Sequence, residues 1–314
     1  MIKFSQLSLL ACTALVAVSG MTPLAYAEPA VSAATQPQPE AEPFPPAIPT
    51  PLDKPFPGTL KLSVDATDTV HHVMTIHETI PVPEEARASG QSIVLYPKGL
   101  PGNHSPSGSI SELGGLVVKT GGKTVEWMRD PVDGVAVHIP VTKTQTTIDV
   151  DFKLLSPVSP EEGRVVMTPH IVNGQWNQAA LYPAGYYSRD IKIDATLKVQ
   201  PGWQVATALR PVGVVSSGST TFGTVTFNTL VDSPVFAGEY FRKVLISAQG
   251  ATPVTLNMVA DKPADLEYNE AQLQVHRNLV TQAVKTFGSQ HYDHYDFPVS
   301  YTHLRAHETL SELV

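Results

Sequence analysis

Between Thr59 and Asp261, apolar and polar residues alternate in short runs, the two-residue period of strands with one face in a core. Met74, Ile76 and Ile80 alternate with Thr75, His77 and Thr79. Ile148, Val150, Phe152 and Leu154 make a second such face. Ile191, Ile193, Ala195, Leu197 and Val199 make a third, opposite Lys192, Asp194 and Lys198. Leu116–Val118 and Thr124–Trp127 flank Gly121-Gly122, a hairpin signal because glycine accepts the positive φ of tight turns. Further strand runs are Val225–Phe227, Tyr240–Ser247 and Val254–Met258. About ten strands with closely spaced turn signals predict an antiparallel β-sandwich with one sizeable core.

The period changes after Lys262-Pro263. Leu273, His276, Val280, Val284 and Phe287, joined by Leu279 and Ala283, fall at helical spacing. Asp265 is the expected cap and Gly288 the expected stop. The face carrying Leu279, Val280, Val284 and Phe287 needs a partner and is expected to invite aggregation without one. Tyr292–Phe297 reads as the start of a strand. The predicted fold class is therefore mostly β. An antiparallel β-sandwich spans residues 59–261, and the first helix and strand start of a second, α/β domain span residues 262–297.

Both ends read as something other than folded domain. Lys3, the apolar run Leu7–Val18 and Ala25-Tyr26-Ala27 have the layout of a cleaved export signal over residues 1–27, ending near Ala27. The apolar run is shorter than the roughly 20 residues that span a bilayer, so no transmembrane anchor is expected in the mature chain. Leu9-Leu10-Ala11-Cys12 also has the outline of a lipoprotein box, although the apolar run continues past Cys12. Residues 28–58, dense in proline, predict a disordered, extended spacer. Val299–Thr309, reading VSYTHLRAHET, matches one translated frame of a transposase-based sequencing adapter. That resemblance implies that residues 298–314 are library read-through and that the genuine frame breaks near Phe297. His303, His307 and Glu308 are then set aside.

Composition narrows the function. Cys12 is the single cysteine of the 314 residues, so a processed chain would have no thiol chemistry and no Cys-ligated zinc. The net charge is −8 and no basic run occurs, which argues against nucleic acid or an anionic membrane as partner.

Candidate chemistry is sparse. His71, His72, His77 and Glu78 fall on one predicted strand, where His71 and His77 share a face but lie too far apart to share a metal. His291-x-x-His294 with Asp293 and Asp296 has zinc-compatible ligand types, or is simply a polar turn. Asp232-Ser233-Pro234 is either a turn before Val235–Gly238 or a substrate-facing loop. Gly102-Asn103-His104-Ser105-Pro106 fails the nucleophile-elbow pattern, glycine-rich phosphate fingerprints are missing, and H-E-x-x-H is absent.

Several strings, in order and at consistent spacing, carry a resemblance across residues 59–297. They are Leu95-Tyr96-Pro97 with Leu100–Gly108, Gly114-Gly115-Leu116, Trp127–Asp133, Leu181–Gly185, Leu230–Gly238 and His291–Phe297. Together they resemble the N-terminal part of the glycyl aminopeptidase-like zinc metallopeptidases. One aromatic expected ahead of Pro101-Gly102 is missing, with Gly99 nearby instead. The resemblance implies a β-rich N-terminal domain, a thermolysin-like catalytic domain and usually a PDZ domain. It also implies zinc and a peptide substrate in the intact parent. The zinc-binding H-E-x-x-H would lie beyond Phe297, so this fragment is expected to bind no zinc and to have no peptidase activity. Asp232 and Ser233 are the residues expected to face substrate in the parent. The rival reading is a non-enzymatic exported β-sandwich that binds peptide or carbohydrate.

Overall fold

The computed structural model describes residues 43–99, 110–159, 161–162, 164–213, 218–248 and 251–301. By its contacts the chain divides into Met1–Phe44 and Pro45–Val314, and all the strands and helices named here belong to the second unit. The expected export signal over residues 1–27 with Cys12, the stretch Gly102–Pro106, and His303, His307 and Glu308 lie outside the described residues.

The strands open with β1 (Thr59–Asp68) and β2 (Val73–Pro81), and α1 (Glu84–Ser89) leads into β3 (Gln91–Leu95). Next come β4 (Leu113–Thr120), β5 (Lys123–Val125), β6 (Met128–Arg129), β7 (Ala136–Pro140) and β8 (Thr147–Leu155). They are followed by β9 (Ile171–Gly174), β10 (Tyr182–Pro183), β11 (Lys192–Lys198), β12 (Gln204–Ala206), β13 (Ser219–Thr221) and β14 (Val225–Thr226). The remaining elements are α2 (Phe227–Val231), β15 (Val235–Gly238), β16 (Tyr240–Leu245), β17 (Val254–Ala260), α3 (Glu270–Phe287) and β18 (Tyr295–Tyr301).

Among the described residues, the largest sheet runs β13-β11-β1-β2-β8-β4-β5, with β14 also on β11. Two smaller sheets, β10-β3-β7-β6 and β12-β15-β9, share its core, which brings together Leu60, Ile76, Phe152, Ile139 and Val235. The fold is mostly β and mainly antiparallel, as the alternation implies. Leu62 and Val64 of β1, Val150 and Phe152 of β8, and Ala195 and Leu197 of β11 all point inward. The Gly121-Gly122 hairpin joins β4 to β5 with φ of 55° and 76°, the pair of positive values a tight twisted turn requires.

The departures from expectation are local. Strand β1 pairs with β11 in parallel, because the chain crosses the smaller sheets before returning to this edge. His71 and His72 sit in the β1–β2 turn rather than on the strand with His77. His72 takes φ 55°, and its Nδ1 lies 2.9 Å from the Met167 carbonyl. Phe227 and the residues up to Val231 form the short helix α2 instead of strand. The far end of the proline-rich stretch is held against the domain. Phe56 is buried edge-on to Tyr186 at 5.0 Å, and Leu52 N–H donates to Gly185 O at 3.1 Å.

The last sheet, β16-β17-β18, has its own small core. Strand β18 lies parallel to β17 and reaches it through α3, a β-α-β crossover. The helix starts later than expected. Asn269 caps it and exchanges bonds with Gln272, whereas Asp265 belongs to the preceding 3₁₀ turn Pro263–Leu266. Gly288 ends it at φ 71°. Leu273 is buried and Val280 packs on the sheet, while Leu279, Val284 and Phe287 are exposed. Strand β18 continues past Phe297 to Tyr301.

Candidate functional site

Alternation decides which side chains of the β16-β17-β18 sheet face which way. On β16, Phe241 and Lys243 share one face. Arg242 takes the other, with its guanidinium 4.5 Å from the Tyr268 ring centre. Lys243 is in register with Asn257 of β17, and Asn257 donates to Asp296 of β18 at 2.7 Å. Phe241, Lys243, Asn257 and Asp296 line a cleft of ≈ 470 Å³. Residues of the segment 199–211 and Phe222 also line it, and Trp203, Val205 and Leu209 are among its apolar lining.

A polar cluster closes one end. The Arg210 guanidinium donates to Asp293 at 2.5 Å and lies 3.1 Å from His294 Nδ1. His294 Nδ1 is 2.6 Å from Asp293 Oδ1, and its Nε2 is 3.1 Å from the Ala208 carbonyl. Hydrogen bonds from His294 and Arg210 hold the Asp293 carboxyl down to about 2. This cluster ties the turn before β18 to the segment that follows β12.

These residues do not make a metal site. Among the described residues no three His, Cys, Asp or Glu side chains converge on one point. Both nitrogens of His294 face protein oxygens, Asp296 is held by Asn257, and His291 turns to Ser289 at 3.2 Å. The His291–Asp296 stretch is thus the polar turn. His71 pairs with Asp68, and His77 pairs with Asp151 on the solvent face of the large sheet, each at 2.8 Å. Among the described residues, no set fits a zinc ion.

The peptidase M61 N-terminal domain family matches residues 61–239. The chain belongs to the peptidase M61 N-terminal domain family. The peptidase resemblance carried by the sequence strings holds at this level. No curated protein matches the chain. Among solved structures, the fold of this M61 domain is similar to an aminopeptidase N family protein from Idiomarina loihiensis. That match has 14% identity and a TM-score of 0.61, and covers 77% of this chain and 39% of that one. An M1 zinc metallopeptidase from Deinococcus radiodurans matches at 10% identity and a TM-score of 0.44, covering 76% of this chain and 55% of that one. The chain thus spans less than two thirds of the length of either relative.

Inside the M61 domain, residues of the strings that carry the resemblance make buried polar contacts. Asp130 accepts the N–H groups of Val132 and Asp133 at 2.9 and 2.8 Å, and its second oxygen lies 2.8 Å from Nε2 of the buried His138. The Asp133 N–H first, then His138, lowers the Asp130 carboxyl below its usual range. Leu181 N–H donates to Glu78 at 2.8 Å. Ser233 is buried too. Its hydroxyl donates to Thr229 O at 2.7 Å, and its carbonyl accepts the Trp176 indole N–H at 2.9 Å. Asp232 caps the end of α2 with an exposed side chain, and desolvation by its surroundings raises its carboxyl. Neither Asp232 nor Ser233 lines the Lys243 cleft.

Sequence reasoning misses two features. Glu78 groups with the histidines beside it in the chain, yet the period of Met74, Ile76 and Ile80 places position 78 on the core face. Arg210 and Lys243 lie far apart in sequence, and only the packing of β16 against the segment 199–211 brings them to one cleft.

Proposed function

We propose that this chain is the N-terminal part of an exported zinc aminopeptidase that acts on peptide N-termini. The observation that carries the reading is the M61 N-terminal domain over residues 61–239, followed at once by the β16-β17-α3-β18 unit with its separate core. We place the start of the second domain at Tyr240 on that basis. The side of α3 bearing Leu279, Val284 and Phe287 is left exposed, which supports a further layer of protein covering it in the whole enzyme.

In this reading the signal is removed near Ala27 and the protein acts outside the cytoplasm. Zinc is held by a thermolysin-like domain beyond the residues described, with a PDZ domain after it. In this reading the 314-residue chain alone is inactive, which agrees with the lack of a ligand set among the described residues. The sandwich walls one side of the active cleft and limits access to short peptides or exposed N-termini. Asp232, exposed at the end of α2, faces substrate, and buried Ser233 fixes the loop that presents it. The test is the DNA of the parent locus, read with adapter trimming. A continuous frame encoding H-E-x-x-H downstream of codon 297 supports the reading. A genomic frame that runs through Val314 and stops overturns it.

A further inference from the structure

The cleft beneath the last sheet is lined by charged side chains of both signs. Besides His294, the charged side chains lining it are Arg210, Lys243 and Asp296, and Arg210 is already paired with Asp293. Asp296 is occupied by Asn257, so its charge is held at the cleft wall. Lys243 is exposed and has no ion-pair or hydrogen-bond partner among the described residues. Two residues before it on the same face of β16, Phe241 also lines the cleft, as do Trp203 and Phe222. An unpaired ammonium in a cleft with aromatic lining suits a ligand with a carboxylate at one end and an apolar group next to it.

We propose that this cleft binds the C-terminal residue of a short peptide. The carboxylate pairs with Lys243, and the last side chain packs among Trp203, Phe222 and Phe241. A free amino acid is too small to fill ≈ 470 Å³, whereas two or three residues suit a pocket of this class. A long-chain fatty acid suits it less well, because Asn257, Asp296 and His294 make one wall polar. The choice of peptide rests on the peptidase reading above. The cleft would then grip a short substrate by the end opposite the one that is cleaved, or retain a released product.

The test titrates the 314-residue chain with N-acetyl-Ala-Phe as the free acid and as the C-terminal amide. Acetylation removes the amine, so the two ligands differ only at the carboxyl end. Binding is read by calorimetry and by tryptophan fluorescence. The free acid is expected to bind at least about tenfold more tightly than the amide, and the difference should shrink with added salt. Lys243→Met should abolish the difference and Lys243→Arg should retain it, with the melting temperature of both unchanged because the side chain is exposed. Equal binding of acid and amide, no binding of either, or discrimination that survives Lys243→Met overturns the proposal. Failure here is separable from failure of the peptidase reading. A full-length enzyme that trims peptides without any preference for a free carboxyl end sinks only the cleft. A full-length protein without zinc-dependent activity, whose cleft still selects the acid, sinks only the reading.

Discussion

Glu78 Oε2 accepts the backbone N–H of Leu181 at 2.8 Å, with the carboxyl wholly inside the core and its other oxygen unpartnered. Desolvation raises this group from 4.5 to about 8 despite the opposing hydrogen bond. Position 78 lies opposite Leu62 and Val150 on the apolar face of the large sheet, so the core holds a neutral carboxylic acid at neutral pH.

Folding stability should therefore fall as pH rises. Between 4.5 and about 8 the unfolded chain releases the Glu78 proton while the folded chain keeps it. The contribution is complete below 4.5, declines through this window by at most about 1.4 kcal/mol per pH unit, and is lost above the folded value. Glu78→Gln should flatten that decline and make the protein more stable than wild type at pH 9. Urea unfolding of both proteins across this range checks the effect, and parallel pH profiles would refute it.

The Asp130 carboxyl is shifted in the opposite sense. Asp130 is lowered from 3.8, so its contribution is present above the unfolded value and is lost as pH falls through the folded one. Asp130→Ala also strips the acceptor from two backbone N–H groups. It should lower the melting temperature at pH 7 more than His138→Ala does, with the gap between wild type and Asp130→Ala closing at the most acid pH that leaves the chain folded.

The orientation of α3 is checked by two leucines on one helix. Leu273 is 4% exposed and Leu279 is 45% exposed. Leu273→Ala should cost about 2–4 kcal/mol, and Leu279→Ala should change stability by less than about 0.5 kcal/mol. Similar costs at both positions would mean that the helix buries another face.

Asp232 separates stability from function. Its side chain is exposed and its ionised form is disfavoured by desolvation, so Asp232→Asn should leave the stability of this chain within about 0.5 kcal/mol of wild type. If its loop faces substrate in a full-length enzyme, as proposed, Asp232→Ala should change kcat/KM or the preferred substrate length there. Unaltered values of both would remove Asp232 from the substrate path.

The strands are legible in the sequence because one buried face imposes a strict period of two. Ile76, Phe152 and Leu197 all lie where that period places them. The parallel β1–β11 pair is not legible, since alternation is blind to strand direction. The α3 cap falls at Asn269 rather than Asp265 although both are good capping residues, and only Asn269 has a Gln three residues on. The helix face is half legible. Leu273 and Val280 point to the sheet, but a stripe read from spacing alone does not reveal that Val284 and Phe287 overhang its edge. Of the candidate site, the Asp232 turn is visible as a loop. The Lys243 cleft is not, because it is made by two segments that meet only in the folded chain.

If this M61 domain is the front of a zinc aminopeptidase, the full-length product of the parent locus must hydrolyse peptide N-termini with zinc. The direct measurement is its hydrolysis of a panel of aminoacyl p-nitroanilides, before and after treatment with a chelator and then with added zinc. The expected result is release that stops on chelation and returns with zinc, while the 314-residue chain shows none. Release that is indifferent to chelation, or no release by the full-length protein with zinc supplied, would contradict it.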